Sequence, residues 1–259
     1  MKNALRREEQ ILHEVLQNGE VSVDDLITTL GVSAASVRRD LTGLQRKGLI
    51  RRTHGGAVTV ERLLYEPFRY DSLFQRHVQH YEKEKRRIGL AAAALIQEKE
   101  TVILTAGTTT TQVARSIRHR KNIRVVTNAV NIAMELSGRR DLKVVVTGGV
   151  LQYGWFSLIG HAAVDSIQDL YADRIFVGAC GVCHERGVTL LEPDEAATFR
   201  AMIRQSRQKV LVADSSKLGV TTAAVVCPVS EIDILITDAG ATDEAISPFR
   251  ATGIDVRRV

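Results

Sequence analysis

Hydrophobic residues near the N-terminus recur three and four positions apart, and this spacing predicts short amphipathic helices. The first helix is predicted over residues 5–17, and Asn18-Gly19 ends it. Ser22 and Asp25 form a capping-box pattern, a hydroxyl with a carboxylate three residues on, which starts a second helix through Leu30. After a tight turn at Gly31-Val32, a third helix is predicted to begin at a cap on Ser33.

The third helix has an apolar face and a basic face. Val37 and Leu41 fall on the apolar side, while Arg38 and Arg39 point away from it. Gly48 stands where a helix needs a left-handed residue in order to stop. The pattern of three short helices with a turn between the second and third predicts a helix-turn-helix.

A short apolar and basic run follows this helix and predicts a small β-ribbon. The run is Leu49 to Arg52, and it is closed by the turn His54-Gly55-Gly56-Ala57. We expect Gly55-Gly56 to make a tight turn with positive φ, which glycine adopts without strain. A helix followed by a basic ribbon is the layout of a winged helix-turn-helix, in which the helix enters the major groove and the wing contacts the DNA backbone.

The charge distribution supports this interpretation. Residues 33–58 contain six Lys/Arg and one acid, Asp40, so this stretch carries a net charge of +5, and the whole chain also carries +5. The positive charge is therefore concentrated where nucleic acid would be contacted. RNA-binding surfaces usually present aromatic residues for stacking, and none occurs between Met1 and Tyr65. The stretch is interpreted as a reader of duplex DNA.

From about residue 84 the pattern changes to continuous Val/Ile/Leu runs that alternate with helical segments. The alternation predicts a mostly parallel sheet covered by helices on both faces. The predicted strands span residues 101–104, 124–127, 143–147, 174–177, 209–213 and 232–237. We therefore predict a DNA-binding domain over 1–58, a linker over 59–81 with room for a short helix, and an α/β domain over 82–259.

Small and hydroxyl-bearing residues follow several predicted strands, where parallel sheets bind their ligands. Gly107-Thr108-Thr109-Thr110 at a helix start would offer free N–H groups and the positive end of the helix dipole to an anion. Lys217 would neutralise a phosphate. Each such turn alone is explained by its role in connecting strand and helix, but several at one edge of the sheet favour an anionic small-molecule pocket.

Composition bounds the class of protein. No apolar run in the 259 residues reaches the roughly 18 that a membrane helix needs, and the N-terminus has no secretory signal. Three cysteines, an odd number, argue against a disulfide framework and for a reducing compartment. We expect a soluble cytoplasmic protein.

Two further patterns suggest metals or haem, and both are set aside. Cys180 and Cys183, followed by His184, match a haem-attachment or zinc pattern, but the chain lacks an export signal and further zinc ligands nearby. Cys180 ends an apolar strand and is interpreted as a small buried hydrophobe, with a redox role left open. His77 and His80 have no third ligand nearby and are interpreted as packed or solvated. No cofactor or metal is predicted.

These motifs together resemble the DeoR family of bacterial transcription regulators. The DNA-binding part of the resemblance rests on Val32-Ser33, Arg38 to Leu41, Gly48-Leu49 and Arg52 to Ala57. In the second domain it rests on Glu84-Lys85, Gly107 to Thr109, Thr127-Asn128, Gly148-Gly149, Asp214 to Lys217 and Ile236 to Asp238. The resemblance implies a winged helix-turn-helix and a sensor domain related to ribose-5-phosphate isomerase. It also implies a repressor of sugar-catabolism genes that a phosphorylated sugar releases from its operator.

The motifs and the resemblance together nominate two sets of site residues. DNA contact is expected from Ser22, Ser33, Ala34, Ser36, Arg38, Arg39, Arg51, Arg52, His54, Gly55 and Gly56. Effector contact is expected from Gly107, Thr108, Thr109, Thr110, Thr127, Asn128, Gly148, Gly149, Gly181 and Lys217. The chain departs from the family pattern at Thr105, where an aspartate is usual, and at Ser36, where threonine is common. Helix-turn-helix proteins usually bind two half-sites, so a homodimer or higher homo-oligomer is expected.

The alternative is a sugar-phosphate isomerase or aminosugar-phosphate deaminase on a related fold. Isomerisation needs a carboxylate base within hydrogen-bond reach of the substrate. The segment where the isomerases place paired acids, Gly178 to Val182, contains no acid. Nearby Glu192, Asp194 and Glu195 are interpreted as the solvated acidic start of a helix. An enzyme would also have no use for the basic module, so the prediction is a regulator and not an enzyme.

Overall fold

The computed structural model describes residues 2–60 and 72–259. The chain divides into two compact units, with the boundary between residues 63 and 64. The predicted linker, residues 59–81, lies partly outside the described residues. Its last part contains a helix, Ser72–Gln79, which belongs to the second unit.

Over residues 2–60, the first unit contains three helices and a three-stranded antiparallel sheet. The helices are α1 (Lys2–Asn18), α2 (Val23–Leu30) and α3 (Ala34–Arg46). The strands are β1 (Glu20–Ser22), β2 (Ile50–Arg52) and β3 (Gly56–Thr59), in the order β1-β3-β2. The predicted helices and ribbon are thus confirmed, and β1 is an additional strand. The apolar faces meet in one core of Ile11, Leu12, Val15, Leu26, Val37, Leu41, Leu44, Ile50 and Ala57.

Local signals set the ends of these helices. The Ser22 hydroxyl accepts the N–H of Asp25 at 3.0 Å and donates to the Asp25 carboxylate at 2.7 Å, so it caps α2. Gly31 and Gly48, which follow α2 and α3, adopt left-handed φ values of 63° and 68°. Each of these caps was readable from the sequence because the interacting groups are within a few residues of each other.

The expected positive φ at Gly55-Gly56 is wrong, because neither residue is among the glycines with positive φ. The wing turn is closed by the N–H of Thr53, which donates to the carbonyl of Gly56 at 3.0 Å. Glycine is needed at position 56 for a different reason. A Cβ there would lie 1.9 Å from the carbonyl oxygen of Val21, since β3 pairs directly with β1.

The second unit is built on a seven-stranded sheet whose neighbouring strands are all parallel. Its strand order is β15-β14-β12-β9-β4-β5-β6. The strands are β4 (Thr101–Leu104), β5 (Ile123–Thr127), β6 (Leu142–Val146), β9 (Ala172–Val177), β12 (Ser206–Val212), β14 (Ile234–Thr237) and β15 (Asp255–Arg258). The predicted α/β class with a parallel sheet is confirmed. No helix in the described ranges is long and apolar enough to cross a membrane.

Helices flank this sheet, and they start and end at slightly different residues from those predicted. They are α4 (Ser72–Gln79), α5 (Glu82–Ala94), α6 (Thr108–Ser116), α7 (Val130–Leu136), α8 (His161–Asp165), α9 (Pro193–Arg204) and α10 (Asp243–Ala251). The sequence pattern predicted a helix over 162–170, but its second half forms tight turns, with Ile167 bonded to Val164 and Leu170 to Ile167.

Two small antiparallel sheets lie beside the parallel sheet and were not predicted. One is the hairpin of β7 (Val150–Gln152) and β8 (Ser157–Ile159), and the other contains β10 (Gly181–Cys183), β11 (Gly187–Leu190) and β13 (Ala224–Cys227). Strands of three or four residues are too short for an alternation pattern to identify. The polar strand β15 was missed because its stability comes from pairing with β14 and not from apolar residues.

Candidate functional site

The third helix of the first unit presents a basic face to solvent. Ser33 caps it, because its hydroxyl accepts the N–H of Ser36 at 3.4 Å and lies 3.1 Å from the Ser36 hydroxyl. Val37 is buried in the core, whereas Arg38 and Arg39 are exposed. The sequence predicted this division. The helix therefore offers two guanidinium groups, next to a capped N-terminus, to a polyanion.

The acid in this helix does not weaken the basic face. Asp40 is only 6% exposed. The guanidinium of Arg7, on α1, donates to both carboxylate oxygens of Asp40, one of them at 3.2 Å, and this hydrogen bonding raises the pKa of Arg7. From the sequence alone Asp40 counts as an opposing charge, but in the structure its carboxylate is paired with Arg7 inside the first unit. The sequence does not reveal this ion pair because Arg7 and Asp40 are 33 residues apart.

The wing residues differ in how far they are free to contact DNA. Arg51, His54 and Gly55 are exposed, whereas Gly56 is buried against β1. Arg52 is also exposed, but its guanidinium donates to the Thr42 hydroxyl of α3 at 3.0 Å. This hydrogen bond fixes the wing against α3. Two other nominated residues, Ser22 and Ala34, are half-buried, and Ser22 serves as the cap of α2.

The second unit contains a cavity of about 170 Å³ at the carboxyl ends of β4, β9 and β12. Four of the ten nominated effector residues line it: Gly107, Thr108, Thr109 and Lys217. The other lining residues are His77, Lys85, Ala106, Trp155, Gly178, Ala179, Cys180, Leu190, Leu191, Glu195, Asp214 and Thr222. The expected pocket at the strand ends therefore exists, with a partly different lining.

One wall of the cavity is the N-terminus of α6. Gly107 provides no side-chain cap, and the first N–H bonded within the helix is that of Thr111, which donates to the Gly107 carbonyl at 3.1 Å. The N–H groups before it are available to a ligand, as at any uncapped helix start. The Thr110 hydroxyl instead donates to the Gly107 carbonyl at 2.9 Å, so it stabilises the turn. The wall is suited to an anion.

Two lysines add positive charge to the same cavity. Lys217 is half-buried at the end of the 3-10 turn Ser215–Lys217. Lys85, on α5, is only 3% exposed, and its Nζ lies 3.9 Å from the carboxylate of Asp214. Burial lowers the pKa of Lys85 to about 8, while Asp214 opposes that shift and Lys217 adds to it. The Oδ2 atom of Asp214 has no hydrogen-bond partner among the described residues.

The cavity also contains a buried carboxyl group, and this corrects the interpretation of the acidic helix start. Glu192 and Asp194 are exposed, but Glu195 is 6% exposed and lies on the inward face of α9 with Ala196. Burial raises the pKa of Glu195 to about 7, and the negative charge of Glu192 adds to the shift while a hydrogen bond with Ser157 opposes it. Glu195 is therefore not solvated. Because its pKa lies near neutral pH, the Glu195 carboxyl group changes between its neutral and charged forms in that pH range.

Helix α4 and the β7–β8 turn form the aromatic side of the cavity. The rings of His77 and Trp155 pack with centroids 4.9 Å apart and planes tilted by 38°. Burial lowers the pKa of His77, and the charges of Lys217 and Lys85 lower it further. His77 is thus packed, as one of the two sequence interpretations held, and it contributes to the cavity lining.

The other nominated effector residues lie outside the cavity lining. Thr127 and Asn128 are fully buried, and the Asn128 side chain accepts the N–H of Ala106 and donates to Ser157, each at 2.9 Å. The Thr127 hydroxyl donates to the Leu104 carbonyl at 2.7 Å. These side chains connect neighbouring strand ends and thereby position the cavity wall.

The remaining nominated glycines allow close backbone approach. A Cβ at Gly149 would lie 2.6 Å from the Ile159 carbonyl, and one at Gly181 would lie 2.5 Å from the Val220 carbonyl. Gly148 likewise lies against Ala162. Thr105, the departure from the family pattern, is fully buried, and its hydroxyl accepts the N–H of Gly178 at 3.1 Å. It connects the ends of β4 and β9.

One of the missed lining residues carried a readable signal. In α5, Lys85 shares its buried face with Ile88, Gly89 and Ala92, and these residues are spaced by three and four. When this three-and-four spacing is followed one turn toward the N-terminus from Ile88 and Gly89, it reaches Lys85 and predicts that Lys85 is buried. No comparable period marks Trp155 or His77, whose places in the cavity depend on tertiary packing.

The two cysteines of the C-x-x-C-H pattern have different surroundings. Cys180 lines the cavity, and burial raises the pKa of its thiol. The Cys183 thiol instead donates to the Glu185 carboxylate at 2.7 Å. Over the ranges that the structure describes, no cluster of three His, Cys, Asp or Glu residues is arranged to hold a metal ion.

The first unit therefore has the layout of a winged helix-turn-helix, and the second unit has a cavity at the strand ends of its parallel sheet. Two family models match the chain over these same units. The DeoR-like helix-turn-helix domain matches residues 7–62, and the DeoR C terminal sensor domain matches residues 80–239. The chain therefore belongs to the DeoR family of transcriptional regulators. Its class is that of a regulator and not of an enzyme.

Individual relatives agree with this assignment over nearly their whole length. The HTH-type transcriptional regulator GolR of Listeria innocua is 30% identical over 97% of both chains. The glycerol-3-phosphate regulon repressor of Escherichia coli K12 is 32% identical over 90% of both. Among solved structures, ribose 5 phosphate isomerase A of Neisseria gonorrhoeae aligns with 52% of this chain and 53% of its own, at 17% identity and a TM-score of 0.40.

Proposed function

We propose that this protein represses sugar-catabolism genes by binding operator DNA through its first unit, and that a phosphorylated sugar in the second unit releases it. The observation that carries the proposal is the cavity where an uncapped helix N-terminus and two lysines meet at the strand ends. The E. coli relative that is 32% identical is itself a repressor, of the glycerol-3-phosphate regulon. A regulator of this kind is expected to act in the cytoplasm.

For DNA, we propose that Arg38 and Arg39 make the main contacts of the recognition helix. They are exposed on the face opposite the core, and the one acid between residues 33 and 58 is neutralised by Arg7. The wing would contact the backbone or minor groove through Arg51, with Arg52 holding it in register with α3. Ser33 and Ser36 at the helix start are proposed to reach phosphate or base edges.

For the effector, we propose that a phosphate group binds at the start of α6, from Gly107 to Thr109, and near Lys217. A dianionic phosphate gains from the helix dipole and from the ammonium group. A free sugar would gain from neither. Sugar hydroxyls would find acceptors in Glu195 and in the Oδ2 of Asp214, which accepts no hydrogen bond from the described residues; both residues line the cavity.

Release of DNA requires that the effector bind the DNA-free arrangement more tightly than the DNA-bound one, because only differential affinity shifts an equilibrium. A tenfold loss of DNA affinity corresponds to about 1.4 kcal/mol of such coupling. This coupling free energy is small compared with the total binding free energy of either ligand. A modest rearrangement of one element that contacts the cavity is sufficient.

The experiment is calorimetry with sugar phosphates and the corresponding free sugars. The wild type is expected to bind at least one phosphorylated sugar at least tenfold more tightly than its free form, and Lys217→Met is expected to lose most of that difference. Lys121→Met, an exposed lysine on the turn before β5, is the matched control and should bind as the wild type does. Equal binding of free and phosphorylated sugars would overturn the assignment of the cavity.

A homo-oligomer is also proposed, with a second copy of the chain covering the apolar surface around β6 and the β7–β8 hairpin. β6 ends the seven-stranded order, and Val146 on it is 43% exposed. Val150, Leu151 and Tyr153 are 70%, 53% and 86% exposed. Exposed apolar residues clustered beside a sheet edge are typical of a protein interface. Leu151→Asp should lower the oligomeric mass measured by light scattering, and an unchanged mass would exclude this surface.

A further inference from the structure

We propose that Lys85 transmits the presence of an anion in the cavity to helix α4. When the anion binds, the Lys85 ammonium group exchanges hydrogen bonds to the carbonyl groups at the end of α4 for hydrogen bonds to the anion. The inference rests on the proposed function, because it needs an anionic effector in this cavity. It assigns Lys85 as a positioning residue, which acts on DNA binding through α4 and not by contacting DNA.

Lys85 is bonded to the carboxyl end of α4. Its Nζ donates to the carbonyl of His77 at 2.5 Å and to the carbonyl of His80 at 2.7 Å. The last carbonyl groups of any helix lack partners within the helix, so an ammonium group there caps it. Because Lys85 is 3% exposed, water competes little for these hydrogen bonds. A buried cation therefore caps the end of α4.

The same ammonium group faces the cavity. Lys85 lines it together with Asp214, whose Oδ2 atom is 3.9 Å from Nζ and has no hydrogen-bond partner among the described residues. An ammonium group has three N–H donors, and two of them point to α4 carbonyls. An anion that takes two of the donors must displace at least one carbonyl. Hydrogen bonds to an ionised acceptor are stronger than those to a neutral carbonyl, which favours the displacement.

Helix α4 is well placed to transmit such a change. It is the first element that the structure describes in the second unit, and in sequence it lies between the DNA-binding unit and the rest of the second unit. Its last turn also contributes His77, which lines the cavity and packs on Trp155. The helix end is thus held on one side by Lys85 and on the other by an aromatic contact in the cavity wall.

The two cavity lysines are expected to give opposite phenotypes. Lys217 has the role of binding the anion, so Lys217→Met should retain DNA binding and lose the response to ligand. Lys85→Met removes the cap of α4 and should therefore resemble the ligand-bound protein. It should bind DNA about tenfold more weakly without ligand and show no further loss with ligand.

The variant test uses the full chain and a duplex selected by the wild type from a random-sequence pool. DNA affinity is measured by fluorescence anisotropy with and without glucose 6-phosphate and inorganic phosphate as probes. Lys85→Arg, which keeps the charge and the donors, should recover much of the wild-type DNA affinity. Wild-type affinity and wild-type release in a folded Lys85→Met would overturn the proposal.

Hydrogen exchange on the wild type decides the case if Lys85→Met does not fold. With bound probe, amides in the first turn of α6, residues 108–111, should exchange more slowly, and those in the last turn of α4 and at the residue after it, residues 76–80, should exchange faster. Protection in α6 without any change in α4 would overturn the role of Lys85 but leave the proposed function standing. Absence of protection in α6 would overturn both.

Discussion

The two units of this protein use charge in opposite ways. The first unit exposes Arg38, Arg39 and Arg51 to solvent and pairs Asp40 internally with Arg7. The second unit encloses Lys85, Asp214 and Glu195 in a cavity, where each is nearly inaccessible to water. Exposed cations suit a long polyanion and are weakened by salt. Enclosed charges suit one small ligand, because burial makes each interaction depend on fit.

The difference also concerns the cost of each arrangement. Exposed arginines require little from the fold, whereas the buried groups of the cavity have pKa values displaced toward neutrality, to about 8 for Lys85 and about 7 for Glu195. Groups with pKa values displaced by burial are typical of functional sites. The comparison therefore predicts that variants of the first unit respond to salt and that variants of the second respond to pH and ligand.

The largest effect is expected from removing the basic face of α3. Arg38→Ala with Arg39→Ala should weaken binding of the selected duplex by roughly 2–6 kcal/mol, taking 1–3 kcal/mol for each base contact. Each single variant is measured on specific and random duplexes. A phosphate contact lowers both affinities alike, and a base contact lowers the specific one more. Unchanged affinity in the double variant would remove α3 from the DNA-binding surface.

The second-largest effect is expected on the stability of the first unit, from a substitution in the wing. Gly56→Ala should destabilise the first unit by about 2–4 kcal/mol, because the new Cβ would overlap the Val21 carbonyl and force the strands apart. Gly55→Ala is the matched control, since a Cβ there meets no atom within 4 Å. Denaturant unfolding of both variants measures the difference. Equal stabilities would mean that β3 does not lie against β1.

The third effect is a dependence of stability on pH that comes from Glu195. Its pKa is about 7 in the folded chain and 4.5 as the ordinary value, so the folded state binds the proton more tightly. The contribution of Glu195 is therefore fully present below about pH 4.5 and is lost as pH rises through 7. The loss amounts to about 3 kcal/mol by linkage, at about 1.4 kcal/mol for each pKa unit between 4.5 and 7.

Glu195→Gln should remove this dependence and make the chain more stable than the wild type at pH 8, as measured by denaturant unfolding between pH 5 and 8. Glu98→Gln, which changes an exposed carboxyl, is the control. Parallel pH curves for the wild type and Glu195→Gln would contradict the burial of this carboxyl group.

The smallest effect is a difference between the two wing arginines in how their loss changes the salt dependence of DNA binding. Arg51→Ala should reduce the salt slope of DNA binding by about one phosphate equivalent and leave stability unchanged. Arg52→Ala should in addition loosen the wing, because it loses the hydrogen bond to Thr42. Salt titrations of DNA affinity distinguish the two. Identical behaviour of both variants would mean that the Thr42 contact has no role in placing the wing.

The sequence predicted what depends on neighbouring residues. The caps at Ser22 and Ser33 and the helix end at Gly48 involve partners within a few positions, and all three are present. The parallel sheet was predictable because its buried strands are continuous apolar runs. The uncapped start of α6 was readable from Gly107 and the threonines after it.

What escaped prediction depends on contacts between distant residues. Arg7 reaches Asp40 across 33 positions, and Arg174 of β9 reaches Glu100 across 74. Glu195 looked like a solvated acid because its neighbours are, and only the packing of α9 turns it inward. Thr127 and Asn128 looked like ligand contacts, yet their hydrogen bonds join adjacent strand ends. A polar side chain at a strand end has two possible roles, and the sequence does not distinguish them.

The most direct test of the account is the affinity for the selected duplex in the presence of sugar phosphates and of the matching free sugars, for the wild type and Lys217→Met. We expect a phosphorylated sugar to weaken wild-type DNA binding at least tenfold and its free sugar to leave it unchanged, and we expect Lys217→Met to stay bound with either. Release of the wild type by free and phosphorylated sugar alike would contradict this expectation, as would a phosphorylated sugar that binds the protein without changing its affinity for DNA.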